Sequence, residues 1–144
     1  MSRGVDDARD GADWISWDHG GTGQWPEQWP PVRLCKLDDT HIRFEITPLA
    51  GTGNKLGGLH GGFLATYAEH CLGLFVEPFD IPISIVTVSL NLDYPAGGKV
   101  GVLLSGRAEL VRETRRMQFV RIELEQEGEV ILLASGVLRK VPRS

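Results

Sequence analysis

Residues 60–78 read HGGFLATYAEHCLGLFVEP, and this stretch decides the fold. Apolar residues fill nearly every position from 63 to 76, a pattern typical of a helix that other structure covers on all sides. Pro78 cannot continue a helix and therefore ends it. The stretch predicts one central, buried helix over residues 63–76, interrupted by a single acidic residue, Glu69.

The segment before this helix is a glycine-rich loop. Residues 50–62 carry six glycines in thirteen positions, enough to let the backbone bend sharply or approach a ligand closely. We expect no regular element before Gly62. The loop therefore leads into the start of the helix, where backbone N–H groups are free and the helix dipole is positive.

Alternating apolar and polar residues on both sides of the helix predict antiparallel strands. Residues 32–48 read as a half-buried strand or hairpin, with the turn at Asp38 and Asp39. Short connections between the later runs make the sheet antiparallel. These β-rich runs are 83–94, 99–111, 117–126 and 130–141. The order of elements predicts an α+β fold in which a curved antiparallel sheet wraps one long central helix.

Composition excludes several classes of protein. The 144 residues are 42% hydrophobic and 24% charged, which is ordinary for a single globular domain. A net charge of −4 provides no general attraction for nucleic acid. The apolar run is too short to span a bilayer, and the polar, acidic first ten residues are unlike a signal peptide. We expect a cytoplasmic protein with no nucleic-acid or membrane partner and with Cys35 and Cys71 reduced.

Residues 1–31 form an extension distinct from the domain that we assign to residues 32–144. The extension is rich in Gly, Asp and Pro and contains all four tryptophans, namely Trp14, Trp17, Trp25 and Trp29. So much apolar area is unfavourable in water. We therefore expect part of the extension to lie against the domain or across a subunit boundary, and its covering a binding groove stays open.

Glu69 is the first candidate for chemistry. A carboxylate buried without a reason costs several kcal/mol in desolvation, so a catalytic role is one explanation for it. An exposed helix edge, or a basic partner on another chain, is the alternative. His60-Gly61-Gly62 directly precedes the helix, where free N–H groups can stabilise an oxyanion. A second copy, His19-Gly20-Gly21, is followed by Thr-Gly-Gln-Trp-Pro and not by an apolar helix with an acid in it.

Asn54, the His60-Gly61-Gly62 motif and Glu69 together resemble the hotdog-fold acyl-CoA thioesterases of the phenylacetyl-CoA and hydroxybenzoyl-CoA type. Further similarity at 86–97, 106–107 and 133–139 extends the resemblance over roughly residues 32–141. It implies a hotdog fold and hydrolysis of an aryl- or medium-chain acyl-CoA to the free acid and CoA. Coenzyme A is then part of the substrate, and neither a cofactor nor a metal is expected.

The resemblance also implies a role for each matching residue. The backbone N–H of Gly61 is the oxyanion donor, Glu69 is the general base or the nucleophile, and the amide of Asn54 helps to place the thioester. A hydroxyl on the facing strand holds the attacking water, which implies Thr87, because the other position used in the family is Gly73 here. Asn54 is equally well explained as a turn residue, and Thr87 as a strand former.

Gly61 and Glu69 are too far apart to act on one carbonyl from the same chain. Eight positions separate them in the sequence, which at ~1.5 Å per residue is about 12 Å along one helix. A working site therefore needs Gly61 and Asn54 from one subunit and Glu69 and Thr87 from its partner. This requirement predicts a homo-oligomer, either a dimer or a tetramer, with active sites at the subunit interface.

The other candidates surround this site. We assign His60 a structural role in the loop, with direct contact to the thioester as the alternative, and expect His70 and Cys71 to point into the core. A hairpin turn near residue 114 carries arginines suited to the phosphates of CoA, with a solvated turn as the alternative. The residues expected to bind substrate or CoA are Gly62, Tyr67, Arg112, Arg115 and Arg116, and those expected around the acyl group are Phe63, Tyr67, Phe75 and Phe79.

Two other functions are compatible with this fold. A hotdog dehydratase or hydratase centres on a catalytic histidine in a different motif, often a His-Phe-Pro stretch, which this sequence lacks. A non-catalytic acyl-CoA-binding or sensor protein would keep the groove and lack turnover. The presence of Asn54, Gly61 and Glu69 together favours the enzyme.

Overall fold

Seven antiparallel strands form one sheet in the computed structural model, which describes residues 13–18, 21 and 23–143. Their order across the sheet is β1-β2-β3-β5-β6-β7-β4, so β4 lies at one edge. The strands are β1 Ile15–Trp17, β2 Val32–Asp38, β3 His41–Ile46, β4 Ile83–Asp93, β5 Leu104–Glu113, β6 Met117–Gln126 and β7 Glu129–Pro142. The predicted α+β hotdog architecture is confirmed.

Helix α1 spans Gly61–Cys71 and continues as a 3-10 turn over Leu72–Phe75. It begins two residues earlier than predicted because His60 caps it: Nδ1 of the imidazole accepts a hydrogen bond from the Gly62 N–H at 3.0 Å. The buried residues of α1 share one face, which packs against the sheet; they are Phe63, Leu64, Tyr67, Ala68 and Cys71. The expectation of a helix covered on all sides is therefore wrong within one chain.

The predicted hairpin at residues 32–48 is confirmed as β2 and β3, and β6 has the predicted bounds. Strand β5 begins five residues later than predicted, because residues 99–102 form a loop that the buried side chain of Gln126 holds. Its Oε1 accepts from the Lys99 N–H at 2.7 Å, and its Nε2 donates to the carbonyls of Lys99 and Val102 at 2.9 and 3.0 Å. The carbonyl of Gly98 accepts from the Leu59 N–H at 2.9 Å, so this loop supports the segment that enters α1.

Part of the N-terminal extension joins the sheet and covers α1. Strand β1 pairs with β2, with Trp17 opposite Val32. Trp29 is buried, and its ring meets those of Phe63 and Tyr67 edge-on at 5.6 and 6.0 Å between centroids. The described part of the extension thus lies against the domain, whereas His19 and Gly20 of the second glycine motif lie outside the described residues. The domain boundary at residue 31 stays a prediction.

Gly106 on β5 provides a test of core packing. A Cβ atom at this position would lie 2.1 Å from Cζ of the buried Phe44 ring. We expect Gly106→Ala to displace this ring and to lower the free energy of unfolding by about 1–3 kcal/mol. Gly97→Ala is the matched control, because no heavy atom lies within 4 Å of its new Cβ. Urea denaturation measures both variants, and equal midpoints would contradict the packing described.

Candidate active site

The carboxylate of Glu69 faces a cavity of about 520 Å³ between α1 and β4, here termed the acid pocket. Thr87 donates its hydroxyl hydrogen to Oε2 of Glu69 at 2.6 Å, whereas Oε1 makes no hydrogen bond to any described residue. The acid pocket is lined by Trp17, Gln24, Pro26, Glu69, His70, Gly73, Glu77, Ser84, Ile85, Val86, Thr87 and Leu138. One carboxylate oxygen is therefore fixed by the edge strand, and the other is free to act on a ligand.

The surroundings of Glu69 differ from the expected apolar burial, and they bear on the choice between positions 73 and 87 for a hydroxyl. Glu69 is exposed within one chain rather than buried among apolar side chains, because the sheet covers the opposite face of α1. Gly73 lines the same pocket, and a Cβ there would lie 3.1 Å from side-chain atoms of Glu77 and of Ile85. A hydroxyl-bearing residue at position 73 would be crowded, whereas the hydroxyl of Thr87 contacts Glu69.

His70 lies in the acid pocket, so the expectation that it points into the core is wrong. Its ring stacks on Trp17 with centroids 4.2 Å apart and planes 4° apart, and Trp29 meets it edge-on at 5.2 Å. The extension, and not the sheet, covers this side of α1, which the pattern of the helix alone does not reveal. Cys71 is fully buried, as predicted.

The other end of α1 opens into a second cavity of about 580 Å³, here termed the glycine pocket. The Gly61 N–H makes no hydrogen bond to any described residue. The hydroxyl of Tyr94 donates to the Gly61 carbonyl at 2.8 Å and thereby holds the first residue of the helix. The glycine pocket is lined by Trp25, Gln28, Trp29, Leu49, Gly51, Thr52, Gly53, His60, Gly62, Phe63 and Thr66.

Sequence reasoning did not assign a role to Tyr94. Its signal in the sequence is weak, because a tyrosine just after a strand is common and its contact with residue 61 spans 33 positions. The structural role of His60 is confirmed, since its ring caps α1. The Oδ1 atom of Asn54 accepts from the N–H groups of Leu56 and Gly58 at 2.9 and 3.0 Å, which fixes the loop as the turn interpretation predicts. Asn54 lines neither cavity.

Tyr67 does not reach either cavity, so its assignment as a substrate-binding residue is wrong within one chain. It is fully buried, because position 67 lies one helical turn after Phe63 on the face that packs against the sheet. This burial, reinforced by the neighbouring Cys71, raises the pKa of Tyr67 well above its ordinary value. Phe63 lines the glycine pocket, whereas Phe75 and Phe79 line neither cavity.

The three candidate arginines lie at the hairpin between β5 and β6. Arg112, Arg115 and Arg116 are exposed and line neither cavity of the single chain. Among the described residues, no group of three or more His, Cys, Asp and Glu side chains is arranged to hold a metal ion. Within the same ranges, no helix is long and apolar enough to cross a membrane.

The sequence profile of the thioesterase superfamily matches residues 56–132, slightly more than half of the chain. A putative esterase of Pseudomonas aeruginosa is 34% identical over 88 residues, which cover 58% of this chain and 63% of that protein. Mouse acyl-coenzyme A thioesterase 13 is 26% identical over 83 residues, covering 58% and 59%. The chain thus spans about three fifths of the length of these two relatives.

Solved structures share the fold at low sequence identity. The E. coli PaaI protein, from the phenylacetic acid degradation operon, has a TM-score of 0.68 and 17% identity, covering 78% of this chain and 81% of that one. A hypothetical thioesterase of Streptococcus pneumoniae, solved with coenzyme A, has a TM-score of 0.66 and 23% identity, covering 76% and 88%. These similarities support the sheet and helix arrangement described above.

Both cysteines of the chain are predicted to be unreactive. Burial raises the pKa values of both Cys71 and Cys35, so neither thiol forms a thiolate readily at neutral pH. We expect iodoacetamide at pH 8 to label native protein slowly and unfolded protein at both positions, as mass spectrometry can measure. Leu56→Cys, which places a thiol at a position that is 87% exposed, is the positive control. Rapid labelling of Cys71 in native protein would contradict its burial beside Glu69.

Proposed function

Because the chain belongs to the thioesterase superfamily, we propose that it hydrolyses an acyl-CoA thioester with Glu69 as the catalytic carboxylate and the Gly61 N–H as the oxyanion donor. The observation that carries this proposal is the 2.6 Å hydrogen bond from Thr87 to Glu69 in an open cavity. It leaves one carboxylate oxygen fixed and the other available. A carboxylate held in this way suits proton transfer or nucleophilic attack at a bound ester.

Both routes begin at the free Oε1 atom of Glu69. As a general base, Oε1 takes a proton from water while the water oxygen attacks the thioester carbonyl. As a nucleophile, Oε1 attacks the carbonyl itself, and water then hydrolyses the resulting anhydride. Either way, the C–S bond breaks, CoA leaves as its thiolate and takes up a proton, and the acyl group leaves as the carboxylic acid.

The start of α1 supplies the complementary charge. The Gly61 N–H is free and lies at the positive end of the helix dipole, where a developing oxyanion is stabilised. The His60 cap uses the Gly62 N–H and so leaves the Gly61 N–H as the available donor. Tyr94 fixes the Gly61 carbonyl, which restricts the orientation of this residue. The Nδ2 atom of Asn54 makes no hydrogen bond to a described residue, and we assign it as a second donor for the substrate. Because Asn54 lines neither cavity of the single chain, this role depends on a site that the partner subunit completes.

The two halves of the site are joined across a homodimer in this proposal. Gly61 and Glu69 lie at opposite ends of α1, and their surroundings form different cavities. Strand β4 is an eleven-residue edge strand whose Val86 and Val88 are 53% and 58% exposed. A long, apolar edge is a template for pairing with another chain. Antiparallel pairing of two β4 strands about a twofold axis would bring Thr87 and Glu69 of one subunit toward the partner's helix.

Coenzyme A is the leaving group in this proposal. The Streptococcus pneumoniae relative was solved with coenzyme A, which supports a CoA thioester as the substrate. The exposed guanidinium groups of Arg112, Arg115 and Arg116 are assigned to the CoA phosphates, because none of them forms an ion pair with a described residue. One guanidinium group can donate two parallel hydrogen bonds to the oxygens of a phosphate, which suits this role.

Glu69→Gln tests the carboxylate. The amide can neither accept the proton nor attack, so we expect kcat for acyl-CoA thioesters to fall by about 100-fold or more with the fold intact. Release of free CoA thiol measures turnover. Glu109→Gln, the same change at an ion-paired residue on β5, is the control and keeps wild-type turnover. Near-normal turnover in Glu69→Gln would refute the assignment, and binding without turnover in the wild type would make the protein an acyl-CoA-binding protein.

Gly61→Pro tests the oxyanion donor and the shared site together. Proline is favoured at the first position of a helix and removes the N–H alone, so we expect folded protein with kcat lowered by about 100- to 1000-fold. The extended backbone of His60, with φ −68° and ψ 131°, accepts a following proline.

Mixing the two inactive variants distinguishes a shared site from a site within one chain. When Gly61→Pro and Glu69→Gln are unfolded and refolded together in equal amounts, half of the dimers combine one chain of each kind. Each mixed dimer has one site with both groups intact, so about a quarter of wild-type activity is expected for a twofold dimer. Refolded Gly61→Pro alone and Glu69→Gln alone are the controls. No recovery in mixed dimers would mean that both groups act from the same chain.

A further inference from the structure

We propose that the described part of the N-terminal extension is a wall of the substrate-binding site, in which Trp25 determines specificity by favouring a thioester with an aromatic acyl group. This inference rests on the proposed hydrolase function and adds to it the class of acyl group. It concerns the glycine pocket, whose lining includes Trp25, Trp29 and Phe63.

Aromatic rings from the extension and the helix form a continuous series along this wall. Trp25 lies 5.9 Å from Trp29 with the ring planes tilted by 59°, and Trp29 meets Phe63 edge-on at 5.6 Å. Trp29 is 8% exposed, whereas Trp25 at the end of the series is 55% exposed. More than half of the Trp25 side chain is therefore exposed beside the cavity, where it can contact one more ring.

The position of Trp25 is set by the backbone that carries it. Residues Trp25–Gln28 form a 3-10 turn with Pro26 in its first turn. The N–H groups of Glu27 and Trp29 donate to the carbonyls of Gln24 and Pro26 at 3.0 and 3.1 Å. A ring presented on such a turn, with a buried neighbour behind it, needs little ordering when a ligand binds.

The wall adjoins the proposed oxyanion donor. Gly62 and Phe63, the two residues that follow Gly61, line the same cavity as Trp25. Gly61 itself does not line the cavity, but both of its chain neighbours, His60 and Gly62, do. In this inference, a carbonyl bound at the Gly61 N–H directs its acyl substituent into the glycine pocket. The cavity of about 580 Å³ is large enough for a phenyl ring with a short linker.

An aromatic acyl group gains more from this wall than a saturated group of equal size. Both groups bury apolar area, but aromatic pairs in offset or edge-to-face geometry gain additional stabilisation from their ring quadrupoles. That additional stabilisation corresponds to a preference of about two- to tenfold for the aromatic group. The preference should depend on the Trp25 ring, because the rings of Trp29 and Phe63 are already buried against their neighbours.

Phenylacetyl-CoA and cyclohexylacetyl-CoA test this inference, because they differ in aromaticity and hardly in size. We expect the wild-type protein to have a kcat/KM about two- to tenfold higher for phenylacetyl-CoA. Trp25→Leu, which keeps an apolar side chain, should bring the ratio close to one, and Trp25→Phe should retain most of it. The ratio of two substrates on the same protein cancels any loss of folded enzyme. An equal kcat/KM in the wild type, or a ratio unchanged in Trp25→Leu, would overturn the role of Trp25.

Equilibrium binding separates this inference from the proposed hydrolysis. The Glu69→Gln protein, with and without Trp25→Leu, is titrated with each thioester in a calorimeter. Tighter binding of phenylacetyl-CoA that is lost with Trp25→Leu supports the aromatic wall, even if the wild-type protein turns over neither thioester and the hydrolase proposal fails. Equal binding of the two thioesters, or binding of neither, overturns the aromatic wall whatever the result for hydrolysis.

Discussion

Gly61 and Glu69 lie at opposite ends of one α-helix, and their separation constrains any site that uses both. The free N–H of Gly61 begins α1, and the carboxylate of Glu69 lies two turns later on its exposed side. A helix is rigid over this length, so no rearrangement within the chain brings both groups to one carbonyl. In the proposed enzyme this constraint makes a second subunit a requirement of the chemistry, and the exposed β4 edge is the surface that can meet it.

The sheet and the N-terminal extension cover different sides of that helix. The sheet buries one face of α1, while Trp17 and Trp29 of the extension cover part of the other. The two cavities lie where neither layer closes completely, and residues of the extension line both of them. The extension thus stabilises the helix and shapes the cavities with the same side chains.

The loops around Gly61 show how a backbone donor is positioned. The His60 ring caps the helix, Tyr94 holds the Gly61 carbonyl, and Asn54 closes the preceding turn through its side-chain oxygen. Behind them, the buried Gln126 binds three backbone groups of residues 99–102. The bonds of Gln126 satisfy a buried amide that would otherwise be costly to leave unpaired, whereas the other contacts are exposed and restrict the backbone. Together they hold a flexible, glycine-rich segment in one conformation.

Short-range patterns in the sequence predict most of the elements and the candidate residues that they carry. Period-two patterns located the strands from β2 onward, β6 to the residue, whereas β1 was not predicted. The one acid of the apolar run made Glu69 a candidate. The family resemblance implies a hydroxyl at Thr87 in the same site, and this hydroxyl donates to Glu69. These features follow from short-range patterns and from the family resemblance, and both can be recognised from residues that are close in the sequence.

The packing of distant segments determines which side of α1 is covered and which elements cover it. It turned Tyr67 into the core, brought His70 into the acid pocket and joined Tyr94 to Gly61. The physical reason is that a residue's burial depends on the element packed against it, and contacts between distant segments leave no periodic signal in the sequence. The spacing of a helix gives the relative directions of its side chains, whereas packing decides which of those directions meets a partner.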